Sequence, residues 1–254
     1  MLKKATLFAA VCGAMALGCG VERDEATEIV DNLLQAGYPV NDIMFVDGSV
    51  YVGRDAHVTL AASREMIQAV PGTSEEQYRT TNLVSGQTKI CVNPTTSFNS
   101  YSRLSAGLDL AIANYNALGL AFTLARGPTT GCSANITAKT TSGVGGSAGF
   151  PSGGNPYGTI NIGTGLQSYS TDVNEHVITH ELGHTIGLRH SDYYDRSISC
   201  GSGGNEGSAG VGAILIPGTP STAKVGGSVM NSCFRSTESG EFTNTDKTAF
   251  QTLY

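Results

Sequence analysis

The stretch His180-Glu181-Leu182-Gly183-His184-Thr185-Ile186-Gly187-Leu188-Arg189-His190 decides how this chain is read. His180 and His184 lie one helical turn apart, so both imidazoles fall on one face and can share an ion. Glu181, beside the first of them, can reach a metal-bound water and act as its base. Gly187 takes a positive φ without penalty, which permits a sharp turn off the helix. That turn can swing His190 back as a third ligand. Three neutral imidazoles leave part of the coordination shell of Zn2+ open, as a catalytic site requires and a structural one does not. Glu181 would accept a proton as water attacks a peptide carbonyl, then deliver it to the departing amine. The expected chemistry is zinc-dependent endopeptidase cleavage of protein or peptide substrates. The alternative is a non-catalytic, zinc-containing surface binding protein, for which the low charge and Gly/Ser/Thr-rich loops speak.

Working outward, Val177, Ile178, Leu182 and Ile186 give the motif helix a buried side, with Asp172 or Asn174 available as its cap. Each ligand imidazole should present its second nitrogen to a carboxylate or carbonyl. Asp192 can fill that place, or replace His190 as an oxygen ligand. Met230 can fill the floor under the three imidazoles with a soft, unbranched side chain, or be ordinary core. His176, one turn before His180, reads as a surface or capping histidine, with a two-metal site as its sharper alternative. His57 has no motif around it.

Taken together, the histidine motif and Ser228-Val229-Met230-Asn231-Ser232 resemble the metzincin clan of zinc endopeptidases. More narrowly the chain resembles the bacterial dual-action HEIGH metallopeptidases, over about residues 22–254. That resemblance rests also on Tyr78-Arg79-Thr80-Thr81-Asn82-Leu83-Val84, on Arg189-His190-Ser191-Asp192-Tyr193 and on Asp246-Lys247-Thr248-Ala249-Phe250. It implies an α/β (α+β), metzincin-like zincin fold: a twisted mixed sheet, a zinc-binding helix and a methionine turn beneath the metal. Two departures limit it. Astacin-like metzincins follow the third histidine with Glu and place Tyr two residues beyond the turn methionine; here those positions hold Ser191 and Ser232. An oxyanion-stabilising tyrosine is therefore not assigned from the turn, and Tyr193 and Tyr194 are the nearest substitutes in sequence.

The amino end, Met1-Leu2-Lys3-Lys4 followed by an apolar run from Ala5 to Leu17, has the layout of an export signal over residues 1–18. Ala14-Met15-Ala16 suits ordinary cleavage, whereas Ala16-Leu17-Gly18-Cys19 resembles a lipoprotein box with a lipid anchor at Cys19. Either way an exported protein is expected, as a cell-envelope lipoprotein or a secreted one. No other run is long enough to cross a bilayer. Beyond the signal remain Cys91, Cys132, Cys200 and Cys233, an even set suited to an oxidising compartment. Of the three pairings, Cys200–Cys233 would staple the loop after the motif helix to the segment carrying Met230, leaving Cys91–Cys132; free buried thiols are the alternative. A net charge of -6 without a Lys/Arg cluster argues against a nucleic-acid partner. A monomer is expected.

Residues 19–80 read as a small helix–hairpin–helix unit, marginal by itself and either a propeptide or an accessory unit. Its helices fall at Glu22–Gln35 and Thr59–Val70, and its hairpin at Ile43–Val46 and Val50–Val52 around Asp47-Gly48. Asp55 is the candidate carboxylate for a latent enzyme, with Asp47 its competitor. The run Glu75–Arg79 reads as a linker and Arg79 as a processing region. The catalytic domain, residues 81–254, should hold strands at Lys89–Val92, Leu120–Leu124, Cys132–Thr140 and Gly158–Ile162, the last an edge strand at the rim of a cleft. Helices are expected at Leu104–Tyr115 and Thr243–Leu253, and Ser142–Tyr157 as loop.

Overall fold

The computed structural model describes residues 24–68, 77–127, 130–207, 213–220 and 222–254; the signal-like segment with Cys19 lies outside them. Helix α1 (Glu25–Gln35) buries Ile29 and Leu33 against helix α2 (Leu60–Met66), whose Thr59 side chain caps Ala62 N. Between them run strands β1 (Met44–Val46), β2 (Ser49–Val52) and β3 (Ala56–His57). Asp47 and Gly48, at φ 49° and 78°, make a two-residue turn, and Ser49 pairs with Val46 instead of lengthening it. The third strand was not expected, and it changes the character of the unit. β3 pairs in parallel with a strand of the main sheet, so the unit is joined to the rest through backbone hydrogen bonds.

Strand β4 (Tyr78–Arg79) corrects the linker reading of residues 75–79. Tyr78 is buried, and β4 pairs with β10 (Ile214–Leu215) on one side and bridges Leu188 on the other. Its apolar Tyr78 and a double set of backbone partners hold what the local charge pattern suggested was free. β5 (Lys89–Pro94) leads to helices α3 (Thr96–Ser100) and α4 (Ser102–Ala117), then β6 (Thr123–Arg126), β7 (Ala134–Thr141), β8 (Gly146–Gly149) and β9 (Thr159–Gly163). Helices α5 (Thr171–Thr185), α6 (Ser197–Cys200) and α7 (Asn244–Leu253) complete the described elements. The sheet order is β1-β2-β3-β8-β9-β7-β5-β6, mixed in sense, with β8 antiparallel to β9 and the strands from β9 to β6 parallel.

β8 lies inside the run read as loop, and β9 is therefore interior, not an edge. Gly and Ser have little strand propensity, so only pairing on both sides makes this segment a strand. The strand expected at Leu120–Leu124 begins at Thr123. α4 and α5 pack on the parallel part of the sheet over Leu104, Leu108, Ile136, Ile160 and Ile178. Gly107 sets their approach: a Cβ there would lie 2.8 Å from the Glu175 backbone nitrogen. A second core fills the amino-terminal unit, and Phe150, from the segment after β8, is part of it. Cys91 pairs with Cys132 and Cys200 with Cys233. No helix among the described residues is long and apolar enough to cross a membrane.

Candidate metal centre

Helix α5 positions the first two histidines. Its N-cap is Ser170, which accepts from Val173 N; neither Asp172 nor Asn174 caps it, and Asn174 instead donates to Leu166 O and Ser170 O. The helix stops at Gly187, at φ 112°, where a Cβ would run into the Asn82 carbonyl. Beyond it Thr80 N donates to Gly187 O and Arg189 N to Tyr78 O, so β4 guides the chain that returns His190 to the helix.

The three rings then converge. His180 Nε2 lies 3.1 Å from His184 Nε2 and 3.2 Å from His190 Nε2. Each Nδ1 donates to a fixed acceptor: His180 to Val229 O, His184 to Leu188 O, and His190 to Glu206 Oε1 at 2.6 Å. Those acceptors put the ring protons on Nδ1 and leave three Nε2 lone pairs facing one another. Lone pairs at that spacing repel unless a cation lies among them. Tetrahedral Zn–N bonds would separate such nitrogens by roughly 3.3 Å, so the donors suit that ion. Asp55 completes the group, with Oδ2 3.1 Å from His190 Nε2 and Oδ1 3.6 Å from His184 Nε2. Three imidazoles and a carboxylate are a donor set for Zn2+.

Asp55 arrives on the loop between β2 and β3, and that loop is gripped at both peptide groups of Gly53. Gly53 N donates to Asp42 Oδ2 at 2.9 Å, and Arg196 Nη1 donates to Gly53 O at 2.6 Å. Gly53 and Arg54 both have positive φ, 63° and 77°, which aims the loop at the histidines. Asp47 stands in the exposed β1–β2 turn, away from this group.

Glu181 is buried beside the histidines and lines the same cleft of about 320 Å³ with His176, His180 and Val144. Burial, with Asp55 adding to it, holds its carboxyl well above the ordinary range. Gly146 of β8 makes room for it, since a Cβ there would lie 2.5 Å from Glu181 Oε1. Under the rings, Met230 is fully buried, and a Cβ on Gly183 would lie 2.6 Å from its Sδ. The turn carrying Met230 is tied down by Asp246, which accepts from Ser228 Oγ and Val229 N. The mixed sheet, motif helix and methionine turn expected of a metzincin-like fold are all present.

Two readings are corrected at this centre. Asp192 neither joins the histidines nor supports one: its oxygens accept from Ser199 and from Ser232 N and Oγ, bracing the Cys200–Cys233 region. The carboxylate behind His190 is Glu206, from the Gly/Ser-rich loop. Burial would raise Glu206, yet His190, Arg189 and Arg196 together hold it below the usual value. Tyr193 packs edge-on against Tyr78, and the Tyr194 hydroxyl accepts from Ala223 N, so both are occupied elsewhere. His176 is buried near Glu238, 4.0 Å from its Oε2, and burial lowers its pKa to about 4. His57 faces the Tyr157 hydroxyl.

The description of the dual-action HEIGH metallopeptidases matches residues 50–254. No curated protein matches the chain. Among solved structures, a crystal structure of myroilysin is 15% identical, covers 67% of this chain and 85% of its own, and has a TM-score of 0.39. High choriolytic enzyme 1, a hatching-enzyme zinc protease from Oryzias latipes (medaka fish), is 16% identical over 65% of this chain and 88% of its own, with a TM-score of 0.41. The family match spans most of the sequence and both halves of the metal group, from Asp55 to His190. The chain belongs to the dual-action HEIGH metallopeptidase family and is a zinc-dependent peptidase.

Proposed function

We propose that this chain is a zinc endopeptidase with Glu181 as its proton carrier, held latent in the full chain by Asp55. The observation that carries the reading is the meeting of three Nε2 lone pairs with one further carboxylate, beside Glu181 and inside an open cleft. His180, His184 and His190 hold Zn2+, with Val229 O, Leu188 O and Glu206 fixing their rings. When bound, the ion acts as a Lewis acid toward the scissile carbonyl and makes water acidic enough to be deprotonated near neutral pH. Glu181 takes that proton on its carboxylate and passes it to the leaving nitrogen. Met230 fills the floor and keeps the ring cluster from sinking into the core.

Asp55 stands where substrate must come, so a peptide can approach only when the β2–β3 loop moves. Residues 24–68 thus act as a latency unit fused to a catalytic domain beginning near residue 81. The two disulfides support an oxidising compartment, and we assign the protein to the exported class, with Cys19 as its lipid attachment point; the mass of the mature amino terminus tests this.

The deciding assay uses the zinc-loaded full chain, Asp55→Ala, and Asp55→Ala combined with Glu181→Gln on a protein substrate. Asp55→Ala should cleave faster than the unaltered chain. The combined variant should lose activity by about 10²-fold or more. A chelator should abolish cleavage, and zinc should restore it. Chelator-resistant cleavage that also survives Glu181→Gln overturns the peptidase mechanism. Equal rates for the unaltered chain and Asp55→Ala overturn latency alone.

A further inference from the structure

Arg196 stands at one end of the cleft and has more hydrogen-bonding capacity than its surroundings use. The residue is 4% exposed and lines the same cavity as His180 and Glu181. One nitrogen, Nη1, donates to Gly53 O at 2.6 Å and to Glu206 Oε1 at 3.1 Å. Its Nε is buried without a hydrogen-bond partner. A guanidinium offers donors in a fixed planar fork that matches a carboxylate, so a buried Nε without a partner is a cost the folded chain carries.

The charge of the cleft depends on the same loop. Glu206 is shared by Arg196, by Arg189 at 3.5 Å and by His190 at 2.6 Å, and buried Asp42 faces both guanidiniums from behind Gly53. On the cleft side the carboxylate is Asp55, carried by the loop whose Gly53 carbonyl occupies Arg196. If that loop withdraws, Arg196 loses its carbonyl acceptor and the cleft loses a negative charge in one movement. What enters next gains most if it returns both an acceptor and the charge.

We infer that Arg196 is a specificity-determining residue that selects peptides carrying an Asp or Glu side chain close to the cleaved bond. The inference rests on the peptidase reading above and deepens it by naming the substrate class. The incoming carboxylate takes the donors that Gly53 vacates and the unused Nε. Glu206 keeps the guanidinium from turning away. An apolar or lysine side chain at that place leaves the fork unpaired or adds like charge, so it is disfavoured. Glycine at 203 is part of the device, because a Cβ there would press within 3.2 Å of the Arg196 Cβ.

The test uses the zinc-loaded full chain carrying Asp55→Ala, and peptide pairs that place Asp or Asn at each position around one cleavable bond. At one position the Asp peptide should exceed its Asn partner in kcat/KM by about tenfold or more. Arg196→Gln should bring that ratio close to one; because the ratio compares two peptides on one variant, a general loss of rate does not alter it. No preference at any position, or a ratio that survives Arg196→Gln, overturns the inference. If Arg196→Gln does not fold, Arg196→Lys decides, since it keeps the charge and loses the fork; an undiminished ratio there overturns it equally. Binding of the same peptides to Asp55→Ala with Glu181→Gln, followed by fluorescence anisotropy, separates the two readings. Preferential binding of the acidic peptide without cleavage by any form sinks the peptidase and leaves Arg196 as the selector. Cleavage without preference does the reverse.

Discussion

Glu181 is useful only if its carboxylate has somewhere to stand, and Gly146 provides it. The missing side chain on β8 leaves a space that a Cβ would close to 2.5 Å from Oε1. Gly146→Ala should therefore lower kcat by about 10²-fold, the cost of a displacement near an ångström. Zinc content should stay at that of the parent, because no imidazole is touched; a full complement of activity would remove Gly146 from the argument. Glu206 makes the opposite prediction. Glu206→Gln loses the charged acceptor behind His190, and zinc affinity should fall by about 10–100-fold in chelator competition; unaltered affinity would show that Glu206 does not support that ring. The sequence made one of these residues visible and hid the other. His180, Glu181, His184 and His190 sit within a single helix and turn, so their spacing alone brings them together. Glu206 reaches His190 across a stretch of Gly and Ser with no periodicity, and the nearer Asp192 drew the role by proximity. Its carboxylate was already taken by Ser199 and Ser232, a fact that only the folded chain carries.

Elements with their own periodicity, such as α4 and α7, were legible to within a few residues, whereas β8 was not. Its Gly146-Ser147-Ala148-Gly149 has no apolar alternation, and its strand character comes from β9 on one side and β3 on the other. The same absence of side chains governs α4 against α5. Gly107→Ala would drive a Cβ to 2.8 Å from the Glu175 backbone nitrogen, and neither helix can shift freely over a filled core. A loss of about 1–3 kcal/mol in denaturant unfolding is expected; no change would mean that the helices part without cost. Glu175 itself supplies a pH signature. Burial, together with Glu241 and Asp172, raises its pKa from 4.5 to about 7, against the Asn114 hydrogen bond. The folded chain thus holds this proton more tightly than the unfolded one. Its contribution to stability is full below pH 4.5 and is lost as pH rises through about 7. Glu175→Gln should flatten that part of the profile: the fall in Tm between those limits should be smaller than the parent's, and an identical fall would assign it to other groups.

At the scale of the whole molecule, the question is whether the amino-terminal unit is a cover or a component. A cover touches the cleft and little else. This unit adds β3 to the main sheet, takes Phe150 into its core and sets Tyr38 against the Arg189 guanidinium, 4.3 Å from ring centre. Asn82 Nδ2 donates to Ala62 O and to Pro151 O, stitching the junction. Severing the chain at Arg79 in the folded state is also opposed, since β4 is paired on both sides. Removing residues 24–68 would bare the β8 edge and Phe150, and would take Tyr38 from Arg189 and Gly53 O from Arg196. The bared strand edge then invites pairing with another chain. Opening the β2–β3 loop alone releases Asp55 and leaves the second core intact. Two preparations therefore separate the alternatives: the chain lacking residues 24–68, and the full chain with Asp55→Ala. The full-length variant should keep the parent's Tm to within a few degrees and gain activity. The shortened chain should unfold at lower temperature and associate in light scattering. A shortened chain that stays monomeric, unfolds no earlier and matches the variant's rate would identify the unit as a removable cover, with β3 and Phe150 docking it from outside.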